Sequence, residues 1–204
     1  MVTTTPSAVE PPTQAVRVTA SRAWAVLIGG LIGLASSVTL TVEKIKLLMD
    51  SGYVPSCNLN PVLSCGSVMV TPQASVLGFP NPLMGIVAFT VVVVTGVLAV
   101  AKVPLPQWYW TGLAIGTLAG AGFVHWLIFQ SLYRIGALCP YCMVVWAVTV
   151  CLLVVFAALA SEPGGIRKNL QHLHQWRWTV AALWFVALFL LVFIRFQDYW
   201  ITLL

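Results

Sequence analysis

Five apolar runs in this 204-residue chain are each long enough to cross a lipid bilayer. A hydrocarbon core of about 30 Å takes about 20 helical residues to span. The runs lie at roughly 23–42, 84–103, 107–129, 139–160 and 178–195. Their combined length leaves little chain for anything else. With 60% of residues hydrophobic and 7% charged, against roughly 25% charged in an average soluble domain, the chain cannot coat a soluble globule. That excludes a soluble enzyme, a secreted disulfide scaffold and a disordered chain. The expected fold class is an all-α integral membrane protein with five transmembrane helices.

Residues 1–22 are rich in Thr and Pro and read as a flexible N-terminal tail. The first apolar run is too long for the core of a signal peptide, and no small-x-small cleavage site follows it, so it reads as a retained helix. The transmembrane domain is expected over 23–195, with 196–204 as a short C-terminal tail. The connection 43–83 is the longest and most polar loop. Pro104-Leu105-Pro106 breaks the chain between spans two and three.

The net charge of +5 comes from scattered residues, which argues against a nucleic-acid partner. It bears on orientation instead. With the N-terminus inside, the inner segments hold Arg17, Arg22, Lys102, Arg167, Lys168 and Arg177; the outer ones hold Lys44, Lys46, Arg134 and Arg195. That bias favours N-in and C-out. One conclusion is independent of orientation. Loop 43–83 and the junction 130–138 are separated by two spans, so they share one side of the membrane.

Spans one and three carry small residues four apart: Gly29, Gly33 and Ser37, then Gly112, Gly116 and Gly120. Such ridges let helix backbones approach closely in lipid, and both are expected to be packing seams. His125, inside span three, is expected to hydrogen-bond across helices as neutral imidazole. Glu43, Lys44, Lys46 and Asp50 read as a solvated end of span one.

The chemistry lies in the cysteines. Cys57 and Cys65 stand in the long loop, with seven residues between them. Cys139 and Cys142 form Cys-Pro-Tyr-Cys at the mouth of span four. At a helix start, free N–H groups and the helix dipole favour a thiolate at the first cysteine. The second lies one turn deeper and can close on the first, as in a dithiol that exchanges. A four-cysteine zinc site is the competing reading, but the wide pair does not have zinc-knuckle spacing and no histidine flanks either pair; no metal is expected. Cys151, nine residues past Cys142, is turned about 180° away and about 13 Å deeper, and reads as a core residue.

A dithiol at a membrane surface must pass two electrons onward. No Gly-x-Gly-x-x-Gly motif and no histidine pair points to a nicotinamide, a flavin or haem. A lipid-soluble two-electron carrier is the economical partner for a site opening into a helix bundle. A membrane transporter or assembly protein with structural disulfides is the alternative.

Four features together resemble the vitamin K epoxide reductase family in its bacterial form. They are the loop cysteine pair, Thr71 six residues after Cys65, Gly-Phe-Pro-Asn-Pro at 78–82, and Cys-Pro-Tyr-Cys opening a later helix. The resemblance covers roughly 24–195. It implies a four-helix, quinone-binding bundle capped by an extracytoplasmic loop, in a bacterial cytoplasmic (inner) membrane. It implies a thiol–quinone oxidoreductase that reoxidises a soluble thioredoxin-like (DsbA-like) protein and reduces menaquinone or ubiquinone. The chain ends at Leu204, so the partner is expected as a separate protein. Carried over by residue, Cys57 meets the partner, Cys65 exchanges with Cys139, and Cys142 engages the quinone. Thr71 keeps a hydroxyl near the site, and Asn81 hydrogen-bonds a quinone carbonyl. Trp146 takes a position that is Tyr in the vertebrate enzymes, so any carbonyl bond there must use the indole N–H. Each of these three also has a plainer reading: Asn81 as a turn residue, Thr71 as a cap, Trp146 as packing. The sister class of disulfide-forming quinone reductases, of the DsbB type, has its Cys-x-x-Cys in the first outer loop. The order here is the reverse.

Overall fold

The computed structural model describes residues 15–16, 18–50, 52–161 and 171–201. In chain order the elements are β1 (Ala15–Val16), α1 (Ala20–Met49), α2 (Cys65–Met69), a 3-10 turn (Pro72–Ser75), α3 (Asn81–Val100), β2 (Leu105–Pro106), α4 (Gln107–Gln130), a π turn (Ser131–Ile135), α5 (Pro140–Ala160), α6 (Gln171–Arg195) and α7 (Gln197–Ile201). Five of the helices are long and apolar enough to cross a membrane. Each matches one of the expected spans. The largest boundary difference on the site's side is at α1. Its 30 residues make a rod of about 45 Å, so its last two turns rise clear of a core about 30 Å thick.

Helix ends follow local chemistry. Cys139 is the N-cap of α5 and Pro140 opens the helix; a proline there loses no needed donor and presets φ. The π turn after α4 ends at Gly136, with φ at 72° and its N–H bonded to the Ser131 carbonyl at 2.9 Å. That left-handed position favours glycine. Of the segment read as a tail, Val16 and Ala15 pair antiparallel with Leu105 and Pro106, and Val16 is buried. Residues 1–14, and 162–170 of the loop between α5 and α6, lie outside the described residues. At the C-terminal end, residues read as a tail form α7.

Helix α1 packs on α3 and α5, α4 packs on α5, and α6 is applied to the outside of α5. Polar ties from His125 and Arg195 help to hold α6. His125 Nδ1 bonds the Ala121 carbonyl at 2.7 Å, so it is the protonated nitrogen, and Nε2 accepts from Trp184 Nε1 at 2.7 Å. Arg195 Nε donates to the Leu132 carbonyl at 3.0 Å.

The two glycine ridges behave differently. On α1, a Cβ at Gly33 would stand 2.3 Å from the Phe89 ring, and one at Gly29 would stand 3.3 Å from Leu152. This ridge is a packing seam. On α4, a Cβ at Gly112, Gly116 or Gly120 would meet nothing within 4 Å. The expected second seam is therefore corrected: these glycines line a cavity between α3 and α4. The physical reason is that α4 takes its support from α5, which leaves its glycine face without a partner helix. Near their connected ends, α3 and α4 are tied by the Thr95 and Tyr109 hydroxyls at 2.6 Å.

Candidate functional site

The long loop folds back over the end of the bundle. Ser64 N donates to the Leu138 carbonyl at 2.9 Å, and Leu138 N donates to the Val62 carbonyl at 2.7 Å. This two-bond clasp sets Cys65 beside the Cys-Pro-Tyr-Cys turn, so both cysteine pairs share one side. Within the loop, Asn60 Oδ1 accepts from the N–H groups of Val62 and Leu63 at 3.0 and 2.7 Å. Asn58 Oδ1 accepts from Gly66 N at 2.8 Å and from Ser64 Oγ at 3.2 Å. Ser64 caps α2 by accepting from Ser67 N at 3.2 Å. Cys65 is thus the first residue of a capped helix.

Cys57 and Cys65 are joined as a disulfide, while Cys139, Cys142 and Cys151 are free. Two of the four loop and turn sulfurs are bonded to each other, so the four do not form one tetrahedral metal set. Cys139 Sγ lies 3.3 Å from Cys65 Sγ, and both residues are buried. The Cys139 sulfur also accepts from Cys142 N at 3.4 Å. Its thiol is held below the usual cysteine range, first by the hydrogen bond from the Cys142 side chain and then by the backbone N–H groups of Cys142 and Tyr141, against the opposing effect of burial. A thiolate beside a disulfide sulfur is the geometry of thiol–disulfide exchange. Cys57 is itself only 5% exposed. It packs in a cluster with Leu40, Met69 and Cys139, directly after the segment 53–56.

Glu43 pins that segment. Its carboxylate accepts from Tyr53 Oη at 2.9 Å, from Ser56 Oγ at 3.0 Å and from Ser56 N at 3.3 Å, and it is buried. Its neighbour Lys44 donates from Nζ to the Met69 carbonyl at 2.6 Å. The solvated helix end expected for these two residues is corrected: the returning loop supplies partners for both. The missed signal is the register, since Lys44 follows Ser37 and Leu40 at helical spacing of seven and four.

Beneath the thiols lies a cavity of about 420 Å³. Cys139 and Cys142 open onto its upper end, together with Lys44, Gln73 and Asn81. Trp146 and Phe123 form part of its sides, and the α4 glycines form a flat wall. Its lower end reaches Leu152, ten residues past Cys142 along α5, or about 15 Å. The chamber is apolar with a few polar groups at one end, as ligand sites commonly are. A lipid-borne quinone ring fits that donor set and shape. Trp146 is buried against Leu132 and Leu138 while also facing the cavity. Asn81 lines it too, but spends part of its amide on the loop. Its Oδ1 accepts from Val76 N at 3.0 Å, and its Nδ2 donates to the Gln73 carbonyl at 2.7 Å. Thr71 does not reach the cavity. Its hydroxyl donates to the Val68 carbonyl at 2.7 Å, so the hydroxyl expected near the site is turned onto the loop's own backbone. Cys151 lies off the cavity, as its angle on α5 requires.

The vitamin K epoxide reductase family model matches residues 24–157. The chain belongs to this family. In a vitamin K epoxide reductase family member, the relay of loop disulfide, Cys-x-x-Cys and membrane cavity is that of a membrane thiol–quinone oxidoreductase in general. The family's quinones serve as electron acceptor or donor. The matched stretch covers most of α1, all of α3 and α4 and most of α5, the bundle that surrounds the cavity; α6 lies beyond it. No curated protein matches the chain.

Proposed function

We propose that this vitamin K epoxide reductase family member oxidises the dithiol of a soluble extracytoplasmic thioredoxin-like (DsbA-like) protein and reduces a membrane quinone, menaquinone or ubiquinone. It thereby supplies oxidising equivalents for disulfide formation at a bacterial inner membrane. The observation that carries this reading is the placement of the Cys-x-x-Cys pair. Cys139 Sγ stands 3.3 Å from Cys65 Sγ on one side, and Cys142 faces the cavity on the other.

A partner thiolate attacks Cys57, and the Cys57–Cys65 disulfide opens to two thiols as the partner closes its own. The Cys65 thiolate then attacks Cys139 of an oxidised Cys139–Cys142 pair, which releases Cys142. Cys57 attacks Cys65 and restores the loop disulfide, leaving Cys139 and Cys142 reduced. A loop disulfide above a free lower pair is the form that this two-electron stage would take, which supports the order. Cys142 then passes the electron pair to the quinone, and Cys139 closes on Cys142. Two thiols become one disulfide, and quinone plus two protons becomes hydroquinone. Asn81 has a second amide hydrogen beyond the one given to Gln73, which is free to meet a quinone carbonyl.

Two variants and two readouts test the order. With menaquinone added, Cys139→Ala leaves Cys142 without its closing partner, and a new visible absorption band from the thiolate–quinone pair should accumulate. Cys142→Ala should show no band, but should trap a Cys65–Cys139 disulfide on a non-reducing gel. Colour in the second variant and none in the first would exchange the two roles. Quinone reduction that survives both changes would sink the mechanism.

A further inference from the structure

Among the described residues, Lys44 is the one Asp, Glu, Lys or Arg that lines the cavity. It stands at the thiol end, on the same face of α1 as Ser37 and Leu40, which also border the cavity. Its Nζ donates to the Met69 carbonyl at 2.6 Å. Met69 closes α2, the helix that begins at Cys65, so a lysine here suits an end carbonyl. That bond uses one of three ammonium donors. Gln73 and Asn81, the other polar groups from the loop and α3 at this end, are neutral. A cation bordering an apolar chamber costs free energy unless a charge answers it. The negative charge that develops on a ring bound at this end would answer it.

Resting on the thiol–quinone reading above, we infer that Lys44 is a catalytic residue of the quinone half-reaction. Its ammonium hydrogen-bonds a quinone oxygen and neutralises the negative charge that develops there. When the Cys142 thiolate adds to the ring, a C–S bond forms and an electron pair moves onto that oxygen. When the Cys139 thiolate attacks Cys142 Sγ, the S–S bond forms, the C–S bond breaks and its electron pair stays with the ring. The reduced ring takes up two protons, equal in number to those lost by the two thiols. Both come from water on the thiol side. A fixed cation in a water-poor site stabilises such an oxyanion far better than water does, because no solvent must reorganise.

The test uses the full chain in lipid nanodiscs, pre-reduced, with short-chain quinones ranging from electron-rich to electron-poor. Lys44→Met should slow reduction of an electron-rich naphthoquinone by about 10²-fold, the usual cost of one lost oxyanion donor. The deficit should shrink steadily as the quinone becomes more electron-poor, because less charge needs the cation. Exchange between a small dithiol and the Cys57–Cys65 disulfide should be unchanged. Lys44→Gln keeps a donor for Met69 but no charge, and should behave like Lys44→Met. Lys44→Arg keeps the charge and should recover most of the rate. An equal deficit for every quinone, near-normal rates in Lys44→Gln, or a matching loss of thiol exchange would each show that Lys44 only closes α2, and would overturn the inference. A Lys44→Met protein reducing quinone at the unmodified rate would overturn this inference alone. An unmodified protein that exchanges thiols yet reduces no quinone would overturn the thiol–quinone reading as well.

Discussion

The α1–α3 contact and the α3–α4 gap are built from the same sequence device and come out opposite. Along the contact, Gly30, Gly33, Gly85 and Gly96 let two helices close until an added methyl group would collide. The Cβ positions at Gly85 and Gly96 fall 2.4 Å from Ser37 Oγ and 2.5 Å from the Leu27 Cα. Across the gap, Gly112, Gly116 and Gly120 face open space. Small residues lower the cost of close approach; they do not compel it. In lipid, where helices gain no hydrophobic drive from meeting, a glycine stripe closes only where the rest of the interface also fits. Helix α1 has that fit with Phe89, Val92 and Leu152. On α4 the missing side chains instead leave the cavity open.

The sharpest way to break the contrast is to put the same kind of change on each side. Gly96→Val forces a branched side chain into the Leu27 backbone, a neighbour that cannot rotate aside. It should cost more than about 3 kcal/mol, beyond ordinary overpacking, seen as a fall in the unfolding midpoint in detergent. Gly116→Phe should leave that midpoint in place. It should instead raise the KM for a quinone by about tenfold, with kcat little changed, as expected for lost uniform binding. If Gly116→Phe unfolds the protein and Gly96→Val does not, the assignment of the two stripes is reversed.

A third test sits where closed seam and open cavity meet, at the thiols. Cys139 is held below the usual cysteine range chiefly by Cys142. Thiolate is the reactive form, so Cys139–Cys65 exchange should rise with pH and level off below the value of about 8.5 typical of free cysteine. Removing the Cys142 thiol by Cys142→Ala should move that plateau upward. A stopped-flow pH profile of thiol trapping at Cys139 checks both statements; an unmoved plateau would show that the helix end alone sets it. The smallest expected effect is Gly116→Ala. It adds a methyl group to empty space and should gain up to about 1 kcal/mol of helix stability, with quinone kinetics little altered. A measurable loss would mean that another helix approaches α4 closely after all.

Much of the fold was legible in the chain. All five crossing helices were marked by apolar runs, with boundaries that moved by as much as seven residues. The same-side argument for loop 43–83 and the junction 130–138 is realised in the Ser64–Leu138–Val62 clasp. The site was legible in part. Cys139 and Cys142 could be placed at a helix start from spacing alone, and Cys151 could be set apart by its angle. Thr71 could not be judged, because its rotamer chooses between the cavity and the Val68 carbonyl. Glu43 and Lys44 look solvated in the sequence, because charges at a helix end have no visible partner until the loop returns over them. Cys57 could not be seen as buried, because its neighbours Leu40 and Met69 come from α1 and α2 and meet it only once the loop has folded back.

What the sequence determined by itself is a matter of local and cumulative quantities. Hydrophobic length sets how many helices cross the bilayer, prolines and the N-cap cysteine set where they start, and parity sets which loops share a side. What only the tertiary structure decided is which surfaces meet. The closing of one glycine stripe and the opening of the other depend on the volumes of Phe89, Val92 and Leu152 on neighbouring helices. The 3.3 Å approach of Cys139 to Cys65 depends on two backbone bonds between segments 74 residues apart. Composition and periodicity record what each segment can bury, but the shape of a cavity is what remains after every segment has chosen its neighbours.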